Sequence, residues 1–96
     1  MEGKFPISFD LAKREKTLLE RDLDFADAAR VFEGQKIEFE DTRADYGERR
    51  MICFGFLKDR LVAIVYVQRG NVRRIISMRK ANEREQAKFQ NGFRET

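Results

Sequence analysis

The spacing of hydrophobic positions changes twice along this chain, from helical before Gly34 to alternating after it, and back to helical beyond Asn82. In "DFADAARVFEG", Phe25, Ala28, Ala29 and Phe32 recur at helical intervals. Asp24 is suited to the N-cap, Asp27 falls in the first turn and Gly34 can end the segment. An earlier helix over roughly 10–20 carries only Leu11, Leu18 and Leu19 as a narrow apolar face, and "ERDLD" interrupts it. Ahead of both, "FPISFD" reads as a short edge strand, because Pro6 has no N–H for a central ladder and Asp10 can cap the helix that follows.

Past Gly34, Ile37, Phe39 and Asp41 alternate with Glu38 and Glu40, as in a strand, and "DTRADYGE" is a polar connection into "RRMICFGFL". Lys58-Asp59 forms a hairpin turn, "RLVAIVYVQ" is the most apolar and central strand, and "RGN" turns into "VRRIISMRK". Short turns predict an antiparallel meander of these three segments, extended by the 37–41 strand. Asn82 and Glu85 have the spacing of a capping box for a final helix that directs Ala81, Phe89 and Phe93 toward the core. The expected class is α+β: two N-terminal helices, a mostly antiparallel four-stranded sheet with an additional N-terminal edge strand, and a C-terminal helix.

Strict alternation puts Arg73, Ile75, Ser77 and Arg79 on one face of the last strand, and Val72, Arg74, Ile76, Met78 and Lys80 on the other. It also groups Arg50 with Ile52, Phe54 and Phe56, and Arg49 with Met51, Cys53 and Gly55. Arginines at the ends of apolar strands either border a half-open groove or form a solvated rim with their stems on the core.

Composition narrows the class. Ninety-six residues with nine Phe are expected to form one folded domain over 1–96. The absence of a long apolar run or a signal-peptide stretch predicts no membrane insertion and a cytoplasmic location. Cys53, the single cysteine, lies in the apolar "MICFGF" and reads as a buried structural thiol, with a reactive thiol as the alternative. The net charge of +3 hides an asymmetry: residues 1–48 hold 8 basic and 13 acidic side chains, net −5, and 49–96 hold 12 and 4, net +8. A basic patch of this kind suits a phosphate backbone or an acidic partner.

Several chemistries lack their parts. Without His, CxxC, HExxH, G-x-S-x-G or a Gly-rich phosphate loop, the familiar zinc, serine-triad and nucleotide-hydrolysis motifs are missing. Asp41, Asp45 and Glu48 have no diagnostic spacing for Mg²⁺ and read as loop charges or arginine partners. RNA cleavage needs neither metal nor histidine, because the 2′-hydroxyl is a built-in nucleophile and Arg or Lys can stabilise charge on the phosphate oxygens. Arginine stays charged, so proton transfer would fall to groups such as Tyr46 or Glu48.

The segments "ISFDLAKREKTLLERDLDFADAARVFEG" and "EDTRADYGERRMICFGFLKDRLVAIVYVQRGNVRRIISMRKANERE" together resemble the BrnT family of small bacterial toxins, over roughly Ile7–Phe89. The distinctive parts are Asp10 with Lys13, the Phe25-to-Phe32 helix, "DYGERR", the Gly55 strand and "RIISMRKA…ERE". The resemblance implies a RelE-like fold and a metal-independent endoribonuclease of a type II toxin–antitoxin pair that inhibits translation, with no cofactor. It also implies a BrnA-like antitoxin as partner, operator DNA bound only through the antitoxin complex, and a toxin dimer within that assembly. Carried onto this chain, the catalytic candidates are Arg50, Arg79 and Lys80, with Arg50 and Arg79 expected to clamp the scissile phosphate. Arg21, Arg43, Arg49 and Arg84 are the RNA-binding candidates. The family's usual Lys-His-Gly before the second helix is Glu20-Arg21-Asp22 here, a frequent Tyr is Phe89, and Gln86 stands where a basic residue is common. The competing expectation is a non-catalytic module with a basic surface for protein or nucleic acid.

Overall fold

The computed structural model describes residues 5–94, with side chains as far as Phe89. A mixed sheet of five strands runs through it: β1 (Ile7–Ser8), β2 (Lys36–Glu40), β3 (Met51–Leu57), β4 (Arg60–Arg69) and β5 (Val72–Lys80), in the order β1-β5-β4-β3-β2. The meander and its 37–41 extension are antiparallel, whereas the edge strand β1 pairs parallel to β5. The edge strand is the expected one, and Pro6 contributes its carbonyl to Arg73 N rather than a donor.

Helix α1 (Leu11–Arg21) begins at Asp10, whose carboxylate accepts from Lys13 N at 3.0 Å. It ends at Asp22, in a left-handed conformation with its N–H bonded to Leu18 O. The apolar face expected to anchor it does not do so. No residue of α1 is buried, and Leu19 is 87% exposed. Arg14 fastens the helix instead, gripping the Asp24 carboxylate through two bonds of 2.7 and 2.9 Å. The helix expected from Asp24 starts as a 3-10 turn (Phe25–Asp27) and becomes α2 (Ala28–Glu33) only afterwards. Asp24 bonds Ala26 N, two residues on, which tightens that first turn.

Leu23, Phe25, Val31 and Phe32 pack on one sheet face against Cys53, Val62, Ile64, Ile75 and Met78. Full burial of each large side chain here contributes roughly 1.5–3 kcal/mol. α2 lies close against β3 at Gly55, where a Cβ would stand 2.7 Å from Val31 Cγ1, so only glycine fits without a shift. Cys53 is buried in this core, and burial pushes its thiol up to about 12, the behaviour of an inert structural cysteine. The opposite face gathers Ile52, Phe54, Leu61, Ala63 and Val65, partly covered by Phe89 of α3 (Glu83–Arg94). α3 opens with the expected capping box: Glu85 N donates to Asn82 Oδ1 at 2.8 Å and Asn82 N to Glu85 Oε1 at 2.9 Å. The side chain of Phe93 lies outside the described residues.

One correction concerns β5. Its register against β4 jumps between Val65 and Tyr66: Tyr66 pairs with Ile75 but Val65 with Ser77, leaving Ile76 as the extra residue of a β-bulge. Ile75 and Met78 thereby enter the same core, which strict alternation forbids. Ile75 and Arg79, expected to share a face, lie on opposite ones. Arg79 pairs with Ala63, on the side of Phe54 and Ile52, whereas Lys80 pairs with Val62 on the α2 side.

Candidate functional site

The bulge delivers Arg79 to a groove of about 360 Å³ on the α3 side of the sheet. Ile52 and Phe54 form its floor, Phe39 and Phe89 its aromatic wall, and Arg43, Arg79, Arg84 and Lys88 its basic rim. The three rings lie nearly parallel: Phe54 and Phe89 are 4.3 Å apart between centroids, and Phe39 stands 6.0 and 6.1 Å from them.

Arg79 is held by Glu85 through a two-pronged pair, with bonds of 2.7 and 2.9 Å. The same carboxylate closes the capping box of α3, so the helix start and the arginine share one anchor. Arg79 holds the Glu85 carboxyl below the usual carboxylate range. Arg43 comes from the 41–50 connection, which Asp41 N and Arg50 O close at 2.8 Å. It lies near enough to Arg79 to oppose that residue's charge.

Asp41, only 6% exposed, organises this loop. Its oxygens accept from Arg43 Nε at 2.8 Å, Arg43 NH2 at 2.7 Å and Arg43 N at 3.2 Å, with Tyr46 OH at 3.3 Å. Bonding to Arg43 outweighs burial and lowers Asp41 from about 3.8 to about 2. A carboxylate depressed in the folded state adds stability above its unfolded pKa, and that stability disappears as pH falls through the folded value. Asp41→Asn is therefore expected to melt below the wild type at pH 6. The gap should close as pH drops from about 4 toward 2, read from thermal unfolding followed by circular dichroism.

Other candidates lie elsewhere. Arg50 does not line the groove: its guanidinium sits 4.3 Å from the Tyr46 ring centroid, and its Nε is buried without a hydrogen-bond partner among the described residues. Arg50 therefore does not join Arg79 in lining this groove, whereas Arg43 does. Lys80 is on the other face. Arg21 donates to Met78 O at 3.0 Å, tying the end of α1 to β5. Tyr46, Glu48 and Arg49 line a neighbouring recess that shares Glu40, Asp41 and Thr42 with the groove. Glu48 reaches Arg69 at 3.4 Å and Arg49 reaches Glu40 at 3.3 Å, both exposed pairs of little energetic weight.

Whereas Asp41 is the arginine partner that the sequence offered, Phe39 and Lys88 were missing from the sequence-derived site. Two signals pointed to them: an aromatic between glutamates at a strand end, and Arg84 with Lys88 one helical turn apart beside Phe89. Among the described residues, no group of three Asp, Glu or Cys side chains gathers as a metal site, and no helix is long and apolar enough to cross a membrane.

Residues 9–85 match the family model described as "Ribonuclease toxin, BrnT, of type II toxin-antitoxin system". No curated protein gives a significant match.

Proposed function

Since the chain belongs to the BrnT family of ribonuclease toxins from type II toxin–antitoxin systems, we propose that it is a metal-independent endoribonuclease whose cleavage centre is the groove beneath α3. The observation that carries this reading is the convergence of Arg43 and Arg79 on one recess, each held in place by a carboxylate. The substrate's own 2′-oxygen attacks the adjacent phosphorus, forming a cyclic phosphate as the bond to the 5′-oxygen breaks. Arg43 and Arg79 stabilise the charge gathering on the non-bridging oxygens, a task that suits planar, permanently charged donors. Arg84 and Lys88 hold flanking phosphates. The 2′-proton passes to water or to the Glu48 carboxylate, and the departing 5′-oxygen takes a proton from water or from the Tyr46 phenol, both groups of the adjoining recess.

This reading places the protein in the cytoplasm, where cutting RNA suppresses translation and a BrnA-like antitoxin neutralises it by covering the groove. The sheet order and the flanking helices support a RelE-like arrangement. The test is incubation of the purified protein in EDTA with a defined RNA and with its 2′-O-methyl counterpart. Products ending in 2′,3′-cyclic phosphate are expected from the first strand only. Absence of cleavage by the folded protein, or equal cleavage of the methylated strand, would leave the binding-module reading in its place.

A further inference from the structure

Phe39 is out of keeping with the stack it belongs to. Its neighbour Phe54 is 2% exposed, yet Phe39 is 41% exposed, with its ring tilted only 22° from those of Phe54 and Phe89. Leaving a large aromatic in water forfeits burial that a rearranged strand end would gain. Among the described residues, the other exposed large apolar side chains, Leu11, Leu18 and Leu19, all belong to α1 and do not line this groove.

The groove around Phe39 has an apolar lining and a cationic margin. Arg43 and Arg79 are engaged by Asp41 and Glu85, but Arg84 and Lys88 form no ion pair among the described residues. Lys88 Nζ lies 5.4 Å from the Phe89 ring centroid, which puts positive charge directly beside the aromatic wall. Glu40 at the margin faces Arg49. An occupant therefore needs a flat apolar face for the stack and negative charge for the rim. One nucleotide of a single strand has both, and about 360 Å³ falls within the range of small-ligand sites, roughly 300–1,000 Å³.

From this arrangement we infer that Phe39 is the platform on which an unpaired base of the RNA stacks, so that the groove accepts single strands and excludes duplex. The inference rests on the proposed function and adds its substrate class. In an A-form duplex every base face is covered by its neighbours, and only edges, sugars and phosphates are presented. A ring face can read a base only when that base is unstacked, and such stacking tolerates any base identity. Phe39 then sets affinity for strandedness, while Arg43 and Arg79 act on the phosphate.

The experiment measures binding of short 2′-O-methyl oligouridine, which cannot be cut, and of a fully abasic strand of equal charge at low salt. Phe39→Ala is expected to weaken oligouridine binding roughly 5–100-fold, leave the salt dependence unchanged and leave the abasic strand unaffected. Phe39→Trp, which keeps a stacking face, should retain affinity, and a matched duplex should bind no better than the abasic strand. Equal losses on both strands, an unchanged affinity for oligouridine, or duplex binding as tight as single-strand binding would overturn the inference. An unchanged affinity is also the outcome expected if the ring instead receives an apolar side chain of a protein partner. Cleavage of ordinary RNA by wild type, run in parallel, separates the two failures: normal cutting with no Phe39 effect removes the stacking role alone, whereas no cutting and no binding removes the ribonuclease reading as well.

Discussion

Arg79→Ala is expected to slow RNA cleavage roughly 10²–10³-fold, the usual loss when one donor to a developing oxyanion is removed, and to leave the protein folded. The side chain is about one-third exposed, and its two-pronged pair with Glu85 is partly buried. Partly exposed pairs contribute about 0–1 kcal/mol, and the two-pronged geometry puts this one near the upper end, about 1 kcal/mol. Glu85 keeps its bond to Asn82 N, so the start of α3 retains its cap. A loss of rate without a loss of structure therefore isolates the electrostatic role. The comparison is Arg84→Ala, which removes a rim cation: it should reduce affinity and flatten the salt dependence with little effect on single-turnover rate. Single-turnover assays at saturating protein, together with circular dichroism, decide the matter. An Arg79→Ala protein that is folded and cuts at the wild-type rate would refute the assignment.

The second large effect is on stability and lies on the other face of the sheet. Arg73 is 12% exposed and bonds Glu38 at 2.9 Å. Its guanidinium lies 4.4 Å from the ring centroids of Phe5 and Phe32 and 4.7 Å from that of Tyr66. Tyr66 OH also donates to Glu38, at 2.6 Å, and burial followed by the Glu38 bond pushes this phenol upward, so it remains a donor. Glu38→Ala removes the acceptor common to both and strands a cation among rings. Losing one partner of a fully buried pair costs about 3–5 kcal/mol. With the Arg73 and Glu38 side chains 12% and 22% exposed and cation–π contacts recovering part of the rest, a cost of about 2–3 kcal/mol is expected here. The expected result is a large drop in the urea midpoint. Adding Arg73→Met should restore much of the loss, because an apolar side chain of similar length fits the same rings. A midpoint unchanged by Glu38→Ala would show that the aromatic cage suffices on its own.

Much of the fold was legible because its signals are local. Asp10, Asp24, Asn82 and Glu85 cap where their side chains and spacing say they should. Lys58-Asp59 closes its hairpin, and Gly70 supplies the positive φ of 61° in the next turn. What could not be read depends on long-range packing. Nothing near Leu11, Leu18 and Leu19 in sequence shows that Arg14 and Asp24 would hold α1 in their stead. The bulge at Ile76 is invisible to periodicity, since "RRIISMR" fits strict alternation as well as the observed pairing. That single shift decided which basic residues meet. Arg79, Arg43 and Arg84 share the groove, whereas Lys80 and Arg21 belong to other surroundings and Arg50 rests on Tyr46.

The surplus residue in β5 also gives the strand slack. Losing Ile76 would draw the chain straight without turning any neighbour over, because Ile75 and Ser77 already pair with adjacent positions of β4. A relative aligned here with a one-residue gap would still aim its arginine at the same cavity. An added residue has no such reserve to absorb it and would rotate everything downstream to the wrong side.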